Sequence, residues 1–348
     1  IAQCLVGSEM CIRDREDASQ QANILITKMG ERLTGADQSD TEFGPQYSPI
    51  YGVEALTGAV YEIYANEDIY SPGGILLHST DDLVTTVNGG EVSTDLPLGE
   101  YRIVEKTAPE GFVLDTTPHI VDLTYKGQNI SVYTEPVTVH NERQKATVSI
   151  TKAIEDNPIF PNPDAYQAIR FGIFSAQDFK NNSGTVAIPK DSLMDIISIN
   201  ENLKGTSSVD LPIGNFYLRE LQTAPGWALD ETEYPFSFSA QPQEVQHVTV
   251  EPNGGQPISN ETIKGYVELT KTDATYGGTL ANAVYGIYTE NGTQAGTLTT
   301  DSSGYAKSGP LPYGSYYLQE ITAPDGVVLD PNQYPFTIND QATVLTMN

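Results

Sequence analysis

The chain has 348 residues, with 46 acidic side chains against 18 basic ones and a formal net charge of −28. That balance repels a phosphate backbone and an anionic lipid surface, so nucleic acid and membrane contact are excluded as partners of this stretch. Tyrosine outnumbers phenylalanine 20 to 10, glycine and proline are frequent, and apolar residues are dispersed rather than gathered into spanning runs, a composition that describes a soluble, turn-rich β protein.

Both cysteines, Cys4 and Cys11, lie in the opening string CLVGSEMCIRDR. It has neither an apolar h-region nor a small-residue cleavage site, so it is not a signal peptide. It resembles a translated sequencing adapter, and residues 1–15 are expected to be an artefact outside the fold; a disordered native terminus is the alternative. No cysteine follows Cys11, so disulfides cannot staple the rest of the chain.

From there one pattern occurs three times. Each copy starts with a strand-like run ending in lysine: NILITK at Lys28, TVSITK at Lys152 and YVELTK at Lys271. A second alternating run follows, AVYEIYA from Ala59, IRFGIFSA from Ile169 and AVYGIYTE from Ala283. Next come LPLGEYRIVEKTAPEGFVLD from Leu96, LPIGNFYLRELQTAPGWALD from Leu211 and LPYGSYYLQEITAPDGVVLD from Leu311. Each copy closes on asparagine, at Asn141, Asn260 and Asn348. The period of two indicates half-buried strands, and the Pro and Gly positions mark turns. The expected fold is all-β: three tandem Ig-like sandwiches at 16–144, 145–263 and 264–348. Two stretches stand apart. The polar segment from Arg32 to Gly52 is expected to be a surface loop. The segment from Pro189 to Leu203 is expected to be a short amphipathic helix, capped by Asp191 and burying Leu193, Ile196, Ile197 and Leu203.

The L-P-x-G-x-Y-x-L-x-E-x-x-A-P-x-G motif, with its early Lys strand and late Asn, resembles the Cna protein B-type (prealbumin-like, SpaA-type) domains of Gram-positive pilins and adhesins. The resemblance covers everything after the adapter-like string. Two departures stand out: the second copy has one residue fewer between Pro225 and Trp227, and the third has Val327 where an aromatic is usual.

Residues two apart on a strand share a face. Lys28, Lys152 and Lys271 are each in phase with the two apolar residues before them, and Glu105, Glu220 and Glu320 with Tyr101 and Ile103, Phe216 and Leu218, and Tyr316 and Leu318. All six are expected to point inward. Asn141 and Asn260 are also in phase with apolar neighbours, whereas Asn348 follows Val344 and Thr346. Lys and Glu are almost never fully buried unless paired. A buried ion pair fixing strand register is one explanation, but it leaves the Asn without a role. The resemblance implies the other: an isopeptide bond between Lys and Asn on adjacent first and last strands, assisted by the Glu beside them. The expected sets are Lys28–Asn141 with Glu105, Lys152–Asn260 with Glu220, and Lys271–Asn348 with Glu320. Such chemistry is a single turnover on the protein itself, not enzyme catalysis, and needs no cofactor. Lys152 follows Asn141 by 11 positions and Lys271 follows Asn260 by 11, so tension along the chain would pass from bond to bond through short connectors.

His78, His119, His140 and His247 show no metal-ligand spacing, no acidic turn matches a calcium loop, and no nucleophile elbow or phosphate loop is present. The Leu-Pro-x-Gly strings lack the apolar segment and basic tail of a sortase signal and are interior turns. On this reading the chain is an extracellular, cell-wall-attached stalk fragment, neither terminus of which reads as native. Its expected partners are host matrix or cell-surface ligands and other pilin subunits joined through sortase, although no pilin-linking lysine motif stands out. An adhesin using the Arg32 to Gly52 or Phe160 to Tyr166 loops, and a spacer in a larger extracellular enzyme, are the alternatives.

Overall fold

The structure, a computed structural model, describes residues 17–347. The adapter-like string and Asn348 therefore lie outside the described residues. Each repeat folds as two sheets whose alternating apolar faces meet, and the described chain divides into two compact units.

The first unit holds residues 17–34, Tyr51–Lys145 and Ser239–Val248. Burial alternates residue by residue from Ala22 to Gly30 along the strand Gln21–Thr41, with Ala22, Ile24, Ile26, Lys28 and Gly30 inward and Asn23, Leu25, Thr27 and Met29 on the other face. This strand runs parallel to Val132–Asn141, with Lys28 opposite Val139 and Gly30 opposite Asn141. The facing sheet runs Leu83–Asn88, Val60–Ala65, Gly99–Thr107, His119–Leu123. Ala22, Ile24, Ile26 and Val139 pack from one side on Tyr61, Ile63, Tyr101 and Ile103 from the other. Gln144, fully buried, keeps its amide satisfied by donating to the Gln241 and Pro242 carbonyls and accepting from Gln241 N.

The second unit holds Gly35–Ile50, Ala146–Phe238 and residues 249–347. In the second repeat, Leu193–Ser198, Arg170–Ser175, Gly214–Gln222 and Tyr234–Phe238 form one sheet. Lys145–Ile154 lies in the other, antiparallel to Lys204–Thr206 and parallel to Ile258–Asn260. The third repeat copies this plan. Gln294–Thr299, Val284–Thr289, Gly314–Thr322 and Gln333–Ile338 form one sheet; Lys264–Thr270 pairs with Tyr305–Lys307, Leu311–Pro312 and Val344–Met347.

Two expectations are corrected. Residues 32–52 are not an irregular loop: Gln21–Thr41 and Gly44–Ala55 form a long hairpin. It turns at Gly44 (φ +104°), where the Thr41 hydroxyl donates to the Gly44 carbonyl over 2.7 Å, and the β-formers Tyr47, Ile50, Tyr51 and Val53 sustain the return strand. At its tip Gln46 pairs with Leu193 and donates to the Met194 carbonyl. Residues 189–203 are not a helix either. Asp191 sits at φ +62°, a turn rather than a helix cap, and Leu193–Ser198 is a strand whose adjacent Ile196 and Ile197 are β-branched and favour extended backbone.

The aromatic after each Leu-Pro-x-Gly turn anchors the core. Tyr101 OH donates to the Pro97 carbonyl at 2.9 Å and Tyr316 OH to the Pro312 carbonyl at 2.7 Å, while the second repeat has Phe216 there. Tyr101→Phe and Tyr316→Phe should each cost about 0.5–1.5 kcal/mol in denaturant unfolding without loss of packing. A cost above about 3 kcal/mol would mean the ring itself had shifted.

Candidate functional site

Three side chains of the first repeat meet in its interior: Lys28, Glu105 and Asn141 are 1%, 4% and 6% exposed. The parallel ladder puts Asn141 opposite Gly30, two positions past Lys28 on the same face, and Glu105 arrives from the facing sheet. Lys28 Nζ lies 3.1 Å from Glu105 Oε1 and contacts Asn141 Oδ1. Asn141 Nδ2 donates to both carboxylate oxygens of Glu105, at 3.1 and 2.9 Å. Desolvation by burial holds the Lys28 amine below the ordinary lysine range, although the charge and hydrogen bond of Glu105 oppose it.

The second repeat assembles the same groups in the same register, with Lys152 opposite Ile258 and Asn260 opposite Ile154. Lys152 Nζ is 3.3 Å from Glu220 Oε1, and neither atom completes a hydrogen bond among the described residues. Asn260 Nδ2 donates to Glu220 Oε2 and to the Ala228 carbonyl, both at 2.7 Å, while its Oδ1 accepts from the Thr223 hydroxyl. Burial again pulls the lysine down against the opposing Glu220 charge.

The third repeat differs. Lys271 stands 3.3 Å from Glu320 Oε1 but its side chain is 15% exposed, just past the end of its strand. Burial lowers this amine too, yet hydrogen bonds and charge from Tyr285 and Glu320 outweigh it and hold Lys271 above the ordinary range. The last strand is also in another phase. Leu345 and Met347 pack against the core while Val344 is 40% exposed, so 345 and 347 are the inward set among the described residues of this strand. Leu269 pairs with Met347, an offset of 78 positions.

Sequence reasoning missed two supports of the carboxylates. The first is the Leu-Asp pair that closes each motif: Asp115, Asp230 and Asp330 each donate their backbone N–H to Glu105, Glu220 and Glu320 Oε2, over 2.8 Å in every case. Their own carboxylates accept from the backbone of Thr117, Thr232 and Asn332 and meet His119, Tyr234 and Tyr334. The threefold recurrence of Leu-Asp was the available signal. The second is an aromatic ring beside each amine, Tyr61, Phe171 and Tyr285, with centroids 5.8, 5.3 and 5.8 Å from the nitrogen. These rings come from the second alternating run and help exclude water.

The family model for the SpaA prealbumin-like fold domain matches residues 50–138 and 265–348. Both stretches belong to the SpaA prealbumin-like family. The first match includes Glu105 but neither Lys28 nor Asn141; the second includes Lys271, Glu320 and Asn348. Among solved structures, the Bacillus anthracis TIE protein is similar in fold over 95% of this chain at 21% identity with a TM-score of 0.61, and the chain spans 50% of that protein's length. BcpA, the major pilin subunit of Bacillus cereus, matches 94% of this chain and 98% of its own at 16% identity and a TM-score of 0.34. No curated protein sequence is significantly similar to this SpaA-type chain. No helix among the described residues is long and apolar enough to cross a membrane.

Asp230 is partly desolvated, which alone would raise its pKa, but hydrogen bonds from Thr232 and Tyr234 and the Lys152 charge hold it below the ordinary value. A depressed carboxylate stabilises the fold above its unfolded pKa and loses that contribution as pH falls through the folded one. Wild type should therefore lose more stability than Asp230→Ala as the pH is lowered from about 5 to about 2, measured by denaturant unfolding at each pH. Parallel losses would remove Asp230 from the account.

Proposed function

We propose that the chain is a stalk segment of a Gram-positive cell-surface protein, a pilin or an adhesin, built of three domains at 16–144, 145–263 and 264–348. The first two each close on themselves through an isopeptide bond, Lys28–Asn141 and Lys152–Asn260. The observation that carries this reading is the repetition: the same three buried side chains, in the same strand register, occur twice. On this reading the protein works outside the cell, attached to the wall. Its partners are other subunits of the same surface assembly and host ligands.

The reaction follows from the contacts. Burial favours the neutral amine, which is the nucleophile. The Lys Nζ attacks the Asn side-chain carbonyl carbon and forms a tetrahedral adduct. The Glu carboxyl takes the proton released by the attacking nitrogen and delivers it to the Asn Nδ2, with which Glu105 and Glu220 are already hydrogen-bonded. The C–N bond to that nitrogen breaks and ammonia leaves, so one amide replaces another and no redox change occurs. Holding the reactants in one dry site supplies the acceleration. The product bypasses the 113 positions between Lys28 and Asn141, closing a loop whose cross-linking would stabilise by about 4.7 kcal/mol on the chain-entropy scale used for disulfides.

For the third domain the expected set is Lys271 and Asn348 with Glu320, and we propose that this bond is the one that does not form. The Lys271 side chain is more exposed than those of Lys28 and Lys152, and its raised amine is the more protonated and so the weaker nucleophile.

Intact mass of the 348-residue chain decides this. It should fall short of the sequence mass by two ammonia molecules, by one in Glu105→Ala or Glu220→Ala, and by none in the double variant. An unshifted wild-type mass overturns the cross-links. Asn348→Ala should leave the deficit at two; a wild-type deficit of three that drops to two in Asn348→Ala would restore Asn348 as a donor. Under tension on single molecules, the first two domains should not lengthen until Glu105 and Glu220 are replaced by Ala.

A further inference from the structure

The three repeats differ in one connection. Between Val60–Ala65 and Leu83–Asn88 lie 17 residues, which include the small hairpin Ile69–Tyr70 and Leu76–His78. Between Arg170–Ser175 and Leu193–Ser198 lie another 17, with the hairpin Phe179–Lys180 and Val186–Ile188. Both hairpins insert one apolar side chain over the Gly of the Leu-Pro-x-Gly turn. Ile69 is buried against Gly99, and Phe179 is buried against Gly214, stacking on Phe216 at 5.2 Å. In each case a Cβ on the glycine would run into the inserted side chain.

The third repeat has only four residues between Val284–Thr289 and Gln294–Thr299, too few for such a hairpin. Its glycine, Gly314, is nevertheless covered. The atoms nearest to a Cβ there belong to Phe160, a residue of the second repeat. Phe160 meets Tyr316 edge to face, with centroids 5.4 Å apart, and Tyr316 stacks on Phe336 as Phe216 does on Phe236. Ile159 packs on the same core. The ring is held in place by buried Asn157, whose Oδ1 accepts from the backbone N–H of Ile159 and Phe160. Glu155 fixes the connector beside it, accepting from Thr262 N and Oγ1 and pairing with Lys264 at 2.7 Å.

We infer that the third sandwich is completed by its neighbour: the groove over Gly314 and Tyr316 is a receptor for an aromatic side chain, and Phe160 of the second repeat fills it. The second and third repeats then fold and resist separation as one body, and Phe160 is committed inside the chain rather than offered to a host ligand. The inference does not depend on the isopeptide bonds, since Phe160 lies outside both candidate sites.

Amide hydrogen exchange on the full chain tests it. Phe160→Ala should speed exchange of Gly314–Thr322 by about tenfold or more and lower the melting of the third repeat by on the order of 10 °C, with Gly99–Thr107 unchanged. Phe160→Leu, which keeps an apolar plug, should recover most of the protection. Unchanged exchange across Gly314–Thr322 in Phe160→Ala overturns the inference. So does equal loss in Phe160→Ala and Phe160→Leu, which would assign the effect to the loop backbone rather than to the side chain. Intact mass of the same variants reads the cross-links separately.

Discussion

A carboxylate held between an amine and an amide in a dry interior is the constraint on which the first two repeats are built. Taking charges out of water costs several kcal/mol per ion even after relaxation, so the interior must pair or neutralise them. The sandwiches do so by register. Lys28 and Asn141 share a face only because their strands run parallel with that one alignment, and a slip of one residue would turn either outward. The Asp115 amide supplies a further donor to Glu105, so the carboxylate is satisfied from three directions before any reaction occurs. Packing, pairing and polar satisfaction thus select the same alignment.

Much of this was legible in the amino-acid order. A period of two around Lys28, Lys152, Glu105 and Glu220 is a direct statement about facing, and burial follows it. What escaped depends on partners distant in sequence. The facing of the last strand was not evident from its sequence, and pairing with Lys264–Thr270 is what turns Leu345 and Met347 toward the core. The apolar spacing of Leu193, Ile196 and Ile197 suited a helix until the β-branched pair found a neighbour in Arg170–Ser175. The hairpin over residues 32–52 hid behind polar residues and glycines, because its tip is stabilised by pairing at Leu193 rather than by a core of its own. Phe160 was visible as an apolar residue in a loop; that it fills a vacancy emerges only when the missing hairpin of the third repeat is set beside the other two.

The two proposals act on different parts of the stalk. The proposed cross-links of the first two repeats would remove chain length from the path of an applied force, while the proposed Phe160 plug and the Glu155–Lys264 bridge would limit swivelling between the second and third. On these proposals covalent closure and aromatic docking would be distributed: the repeat whose lysine is the more exposed and more basic is the one whose turn glycine is covered by a side chain of its neighbour.

The aspartate amide that grips each carboxylate has a consequence for how these turns tolerate change. Glu105 to Asp115, Glu220 to Asp230 and Glu320 to Asp330 are the same distance along the chain, even though Ala224-Pro225 sits one place later after its Glu than Ala108-Pro109 does. The second copy's shortened stretch before Trp227 is thus offset by one residue gained ahead of Ala224. The loop behaves as a ruler: its internal spelling is free to be rewritten, and compensating shifts are absorbed. A net insertion or deletion would draw the amide off the carboxylate and leave a buried oxygen bare.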